Sequence, residues 1–371
     1  MASVLFLARS LGVGGAERQL VVLAKGLHAR GHRVIVACFY GGGALEADLA
    51  QSGVAVVDLE KRGRWETMRF LARLVLLVRR ERPNVMHGYL PVPNMLVSVL
   101  RPLARGARIV WGVRASDMDF SRYDLLERLS FRVGVPLARL AHLIIANSWA
   151  GAEYHVARGY PRSIVHVVPN GIDTSRFRPD PAARSSLRAE WLIADVEPLV
   201  GIVARLDPMK GHEVFLRAIA LARRDIPNVR AVCIGDGAEL HRSSLRRLAT
   251  ELGLDDVLRW TGAVQDTARV YNALDVLCSA SVFGEGFSNA VGEALACGTP
   301  CVVTDVGDSA RLVGALGRVV PAGDASALAE AIVLTVREGT ARQRDARRQL
   351  IVDEYGVERL VDRSEALLFV A

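Results

Sequence analysis

The sequence predicts an α/β protein built from two Rossmann-like β/α/β domains. Three observations lead there. At 371 residues the chain is too long for one ordinary core. Short apolar runs suited to buried parallel strands alternate with helical patterns along most of its length. Each half also opens with the same unit, a strand, a tight turn and a helix.

In the first half, Val4–Ala8 is the opening strand. It lacks a basic leader before its apolar residues, so it reads as a buried strand and not as a signal peptide. Ser10–Gly15 is the turn, with Gly12, Gly14 and Gly15 in neither dinucleotide nor P-loop spacing. A helix follows with Leu20, Leu23, Ala24 and Leu27 on one face, and Arg33–Cys38 is the second strand. Further strand-like runs are 54–57, 85–87, 109–111 and 143–146. His87 and Arg114 close two of these runs, at the strand ends where open α/β sheets bind ligands. Around residues 65–82 a basic helix sets Arg69, Arg73, Arg79 and Arg80 about Phe70, Leu74 and Leu77. Such a helix fits a half-buried surface position or an anionic membrane surface.

Strand 165–168 runs into a Pro-Asn-Gly turn, and a Pro-, Arg- and Ala-rich stretch follows. The expected organisation is a first domain over 1–175, a linker over 176–197, a second domain over 198–355 and a terminal helix over 356–371. Leu199–Ala204 is the first strand of the second domain, leading into Arg205-Leu-Asp-Pro-Met-Lys210. Two cations flanking a turn at a strand's carboxyl end suit a diphosphate. Strands are also expected at 231–234, 259–264, 275–278 and 300–304, with helices over the last 45 or so residues.

The densest chemistry lies in Val282–Ala294. Glu285 precedes a helix and Glu293 lies within it, with Gly286-Phe287-Ser288-Asn289 between them. Ser288 or Asn289 is a natural N-cap, and amides at a helix N-terminus attract phosphate. A carboxylate beside a phosphate site is best explained as an acceptor for hydroxyls. Phosphate and hydroxyls together describe a nucleotide-sugar.

The run from Glu285 to Asp308 resembles the E-x7-E region of retaining glycosyltransferases of family 4, which have the GT-B fold of two Rossmann-like domains facing a deep cleft. The resemblance implies transfer of a hexosyl or N-acetylhexosaminyl group, with retention, from a nucleoside-diphosphate-sugar. Arg205 and Lys210 would then hold the departing diphosphate, Glu285 would contact the sugar, and Glu293 would bind the ribose hydroxyls. Gly286, Phe287, Ser288 and Asn289 would line the donor. Gly14 and Gly15 match a Gly-Gly-Ala-Glu loop of the family whose backbone approaches the donor diphosphate and the acceptor. Asp236 borders the base, and Val264 reads it through its backbone. The family often carries His where this chain has Arg114. A permanently charged guanidinium cannot act as a base, so Arg114, with His87, is assigned to the acceptor or phosphate side.

No cofactor is expected beyond the donor. Asp117-Met-Asp119 has the letters of a metal-binding pair but lies in the first half, and with Arg205 and Lys210 available no metal is required. Cys38, Cys233, Cys278, Cys297 and Cys301 show no zinc spacing and read as buried thiols of a cytosolic protein. The net charge is +7, with the excess of cations in the first half. No zinc finger, RNP-like pattern or basic tail points to nucleic acid. The expected partners are therefore the donor, a glycan or polyprenyl-linked acceptor, and an anionic membrane face at the periphery. Cell-surface polysaccharide assembly is the expected setting. A nucleotide-sugar epimerase of the same architecture and a non-catalytic glycan- or membrane-binding subunit are the alternatives. The first needs acid and base groups at the sugar, and the intact Arg205, Lys210, Glu285 and Glu293 set argues against the second.

Overall fold

The computed structural model of the chain describes residues 2–12, 14–63, 66–104, 106–114 and 133–369. The chain divides into two compact units, Met1–Gly171 with Val357–Ala371, and Ile172–Gly356.

The first unit holds strands β1 (Ser3–Ala8), β2 (Arg33–Cys38), β3 (Ala55–Asp58), β4 (Val85–Tyr89), β5 (Arg108–Val113), β6 (Leu143–Ala146) and β7 (Val165–Val167). They form one parallel sheet in the order β3-β2-β1-β4-β5-β6-β7. Successive side chains of a strand point to opposite faces. Accordingly Leu5 and Leu7 pack with Phe70, Leu74 and Leu77 of the helix Thr67–Glu81. Val4 and Phe6 pack with Leu20, Leu23 and Leu27 of the helix Gly15–Ala29. Helices on both faces explain why β1 reads as a continuous apolar run. The last helix, Val357–Leu368, lies against Gly15–Ala29. A Cβ on Gly26 would come within 2.3 Å of Val361 Cγ2, so the two backbones approach closely. Arg30 binds Asp362 and Glu365 across the same contact.

The second unit repeats the plan with β8 (Leu199–Val203), β9 (Arg230–Ile234), β10 (Leu258–Gly262), β11 (Val276–Ser279), β12 (Cys301–Thr304) and β13 (Arg318–Val320). The order is β10-β9-β8-β11-β12-β13, again parallel. Strand β13 was not expected, because three residues with two valines carry no readable period.

The 176–197 stretch is not a linker. Pro181–Glu190 is a helix started by Asp180, whose carboxylate accepts the Ala183 amide at 2.9 Å. Leu187 and Trp191 share a core cluster with Leu199 and Tyr271. Arg184 and Arg188 meet the Asp275 carboxylate at 2.6 and 3.1 Å, and Arg188 is only 1% exposed. Two arginines of the stretch expected to be a linker, Arg184 and Arg188, are internal partners of one aspartate. All five cysteines are buried free thiols. No helix among the described residues is long and apolar enough to cross a membrane.

Candidate active site

In the second sheet the order reverses between β8 and β11, and the loops leaving those two strands carry the chemistry. The loop after β8 places Arg205 and then a short 3-10 turn, Pro208–Lys210, that Asp207 caps through the Met209 amide at 3.1 Å. The loop after β11 carries Ser281 and Glu285. The Val282 amide donates to Met209 O at 2.8 Å and ties the two loops together. Gly211 sits at φ +66°, where a Cβ would lie 1.9 Å from Ala280 O. No other residue type fits there without moving a loop.

This closeness brings Lys210 Nζ to 2.5 Å from Glu285 Oε2, which also accepts the Ser281 hydroxyl at 2.8 Å. Burial pushes the Glu285 carboxyl up, but the charge and hydrogen bond of Lys210, with Ser281, outweigh it and hold the group below its ordinary value. Glu285 is therefore ionised at neutral pH. Arg205 is more open, 69% exposed, and pairs with Asp207 at 3.1 Å. The Arg205–Leu206 backbone runs beside the Gly235–Gly237 loop, with Leu206 N donating to Asp236 O at 3.0 Å. The exposed Asp236 carboxylate itself accepts from Gly237 N and Arg242, each at 2.8 Å.

Gly286, Phe287 and Ser288 are buried. The Phe287 ring packs 5.5 Å from Tyr355, so its side chain belongs to the core and its backbone to the turn. Ser288 occupies the N-cap of the helix Asn289–Ala296 in an extended conformation, without a capping bond from its hydroxyl. Helix geometry then directs the first-turn amides out of the N-terminus. Within that helix Glu293 accepts the Tyr271 hydroxyl at 2.7 Å. Val264 is half-buried against the same core cluster.

In the first unit, Gly14 is the N-cap of the helix that Gly15 begins. His87 does not end its strand, as expected, because β4 continues to Tyr89. Its ring is fully buried, 5.1 Å from Phe6 and 5.4 Å from Tyr89. Among the described residues neither ring nitrogen has a hydrogen-bond partner, and burial, then Arg114, push its pKa down to about 3. His87 is thus a neutral core residue, and Tyr89 is the side chain at the strand's end. Arg114 stacks 4.4 Å over the Tyr89 ring, donates to the Tyr89 hydroxyl, and donates to Asn170 Oδ1 at 3.1 Å. Burial raises the Tyr89 phenol, against the lowering effect of Arg114. Asp117 and Asp119 lie outside the described residues. No group of three His, Cys, Asp or Glu side chains able to hold a metal ion occurs among the described residues.

Sequence reasoning missed Ser281, Tyr271, Tyr89 and Asn170. Asn170 was readable only as part of a turn, and nothing in the sequence ties Tyr271 to Glu293.

Both halves of the chain match glycosyltransferase family models. Residues 13–176 match "Glycosyltransferase Family 4", and residues 197–338 match "Glycosyl transferases group 1". Among curated proteins, a GDP-mannose-dependent alpha-(1-6)-phosphatidylinositol monomannoside mannosyltransferase of Mycolicibacterium smegmatis is 29% identical over 249 residues. That match covers 64% of this chain and 63% of the relative, so the chain spans less than two thirds of that protein's length. The lipopolysaccharide core biosynthesis glycosyltransferase LpsE of Rhizobium meliloti is 29% identical over 362 residues, 96% of each chain. Among solved structures, Anabaena Alr3699/HepE in complex with UDP-glucose superposes with a TM-score of 0.87 at 25% identity, over 99% of each chain. WaaG, a glycosyltransferase involved in lipopolysaccharide biosynthesis, has the same fold, with a TM-score of 0.75 at 16% identity over 99% of this chain and 100% of its own.

Proposed function

From the premise that the chain is a family-4-like glycosyltransferase with the GT-B fold, we propose that it moves a hexosyl group from a nucleoside-diphosphate-sugar to a glycan or lipid-linked acceptor. The observation that carries the proposal is the Lys210–Glu285 pair beside the amino end of Asn289–Ala296, at the sheet's switch point. A half-buried ammonium and outward-facing amides suit a diphosphate, and the carboxylates suit hydroxyls. HepE is described in complex with UDP-glucose, and the mycobacterial relative as GDP-mannose-dependent, which supports this class of donor.

In the proposed reaction the anomeric C–O bond to the β-phosphate breaks and a bond to the acceptor oxygen forms on the same face. The acceptor's proton ends on the departing diphosphate, so no separate base is needed. Lys210, Arg205 and the turn amides stabilise charge growing on the phosphate oxygens, each worth ~3 kcal/mol by analogy with oxyanion holes. Glu285 orients the sugar, Glu293 binds the ribose, and Asp236 and Val264 border the base. In the first unit, Gly14 and Gly15 are the residues we assign to donor binding and Arg114 the one we assign to the acceptor. These fixed cations take the role a metal would otherwise fill.

The setting we propose is cell-surface polysaccharide assembly at the cytoplasmic face of the membrane, a reading supported by the similarity to LpsE, a glycosyltransferase of lipopolysaccharide core biosynthesis. The helix Thr67–Glu81 supports peripheral contact. Met68 and Leu76 are 79% and 64% exposed on it, beside exposed Arg69, Arg79 and Arg80. Apolar side chains among arginines suit an anionic lipid surface.

The test is release of UDP or GDP from a panel of UDP- and GDP-sugars, with and without EDTA, followed by NMR assignment of the product's anomeric configuration. Release that survives EDTA with the donor's configuration kept is expected. No release from any donor would refute the reading.

A further inference from the structure

Glu285 Oε2 meets two donors of different kind. Lys210 ends a flexible four-carbon stem, so its ammonium can turn toward any anion that approaches. Ser281 has a one-carbon arm, and its hydroxyl points where its backbone puts it. That backbone is fixed from both neighbouring strands. On one side the Thr304 hydroxyl, at the end of β12, donates to Ser281 O at 2.6 Å, with Ser279 O at 3.2 Å. On the other, the Val282 amide donates to Met209 O at 2.8 Å. The Gly211 backbone also lies so near Ala280 O that no side chain fits between them. Residues 279–282 are therefore clamped between the loop after β8 and the end of β12, the two strands that flank β11 in the sheet.

Thr304, Ser281 and Glu285 are all buried. A hydroxyl has one proton, and an ionised carboxylate only accepts, so Ser281 gives its proton to Glu285 Oε2. Thr304 gives its own to the main chain that carries Ser281. Removing either hydroxyl leaves a buried oxygen short of a donor. The two donors on Glu285 also respond differently to an incoming anion. A diphosphate competes with Glu285 for Lys210. Ser281 is out of water with its proton engaged, so it stays on the carboxylate while the ammonium is shared. Lys210 thus supplies charge, and Ser281 supplies direction.

We propose that Ser281, held in place by Thr304, is the positioning residue that keeps the Glu285 carboxylate oriented when a diphosphate shares Lys210. That the oriented carboxylate meets the donor's sugar rests on the transferase reading; the Thr304–Ser281–Glu285 relay does not. The variants are Ser281→Ala, Thr304→Val, which removes a hydroxyl and keeps the side chain's shape, and Thr304→Ser, which puts a hydroxyl back. With UDP-glucose and GDP-mannose as donors, Ser281→Ala and Thr304→Val are expected to lower kcat about tenfold. The Kd of UDP or GDP alone is expected to stay at the wild-type value, because neither carries a sugar. Thr304→Ser is expected to recover kcat. Melting curves of all four proteins separate these effects from lost stability. Carbon-13 NMR of the Glu285 carboxyl, identified by its disappearance in Glu285→Gln, follows the relay without catalysis. With and without UDP, that carboxyl is expected to titrate at a higher pH in Ser281→Ala and Thr304→Val than in the wild type. An unchanged titration in Ser281→Ala, wild-type kcat in both hydroxyl-free variants, or equal behaviour of Thr304→Val and Thr304→Ser would overturn the proposal. If the wild type transfers no sugar yet the titrations move as expected, the transferase reading falls and the relay stands.

Discussion

Lys210 Nζ and Glu285 Oε2 lie 2.5 Å apart although 75 positions separate them in the chain. A diphosphate bound at Lys210 as proposed would meet an ammonium that already has an anionic partner. The pair fixes the half-buried cation in place, and sharing it with a phosphate costs less than burying a lone cation.

Lys210→Met takes the cation away from the buried Glu285 carboxylate, which keeps the Ser281 hydroxyl at 2.8 Å. A loss of about 3 kcal/mol in unfolding free energy is expected from breaking such a pair. Turnover is expected to fall about 100-fold by analogy with a lost oxyanion donor. Urea titration and donor kinetics measure the two effects separately.

The Glu285 pKa lies below its ordinary 4.5 in the folded protein. Its stabilising contribution is therefore complete above pH 4.5 and lost as pH falls through the lower folded value. Glu285→Gln is expected to flatten that acid limb of the melting curve while leaving the curve's shape above pH 6 unchanged. An unaltered acid limb would show that Glu285 is not held by Lys210.

His87 behaves in the opposite sense to a paired histidine. Its folded pKa of about 3 lies below the ordinary 6.5, so the unfolded chain binds its proton first. Stability is lost as pH falls from about 6.5 toward 3. In His87→Leu that loss disappears, and the melting temperature relative to wild type is expected to be higher at pH 5 than at pH 7.5.

Tyr271→Phe removes the hydroxyl that Glu293 accepts at 2.7 Å. If that bond orients Glu293 for the ribose, the donor KM is expected to rise about fivefold, from roughly 1 kcal/mol of lost orientation. kcat should change little. A lowered kcat at unchanged KM would place Tyr271 elsewhere in the reaction.

Replacing Arg69, Arg79 and Arg80 together by Gln is expected to weaken binding to phosphatidylglycerol vesicles by about 1 kcal/mol per arginine. Binding by the wild type should weaken as salt rises. Binding equal to wild type in the triple variant would remove this helix from the membrane reading.

Parts of this molecule were open to reading in one dimension. Runs such as Val4–Ala8 and Leu199–Val203 announce parallel strands because burial on both faces forces every position to be apolar. The helix after Ser288 was legible from its cap residue and its small apolar face. The 176–197 stretch misled because composition cannot distinguish a solvated arginine from Arg188, which is buried against Asp275. His87 misled because the strand ends two residues beyond the apolar run, and only the register with β5 fixes where it leaves the sheet.

The sequence by itself determined the two repeated α/β units, the turn residues and the chemical identities of Lys210, Glu285 and Glu293, because period, turn chemistry and residue type are local properties. Only the tertiary structure decided their company: Ser281 and Lys210 on Glu285, Tyr271 on Glu293, and Tyr89 and Asn170 on Arg114. In most of these pairs the two partners lie on separate elements, and parallel strand order, not distance along the chain, sets which loops emerge side by side.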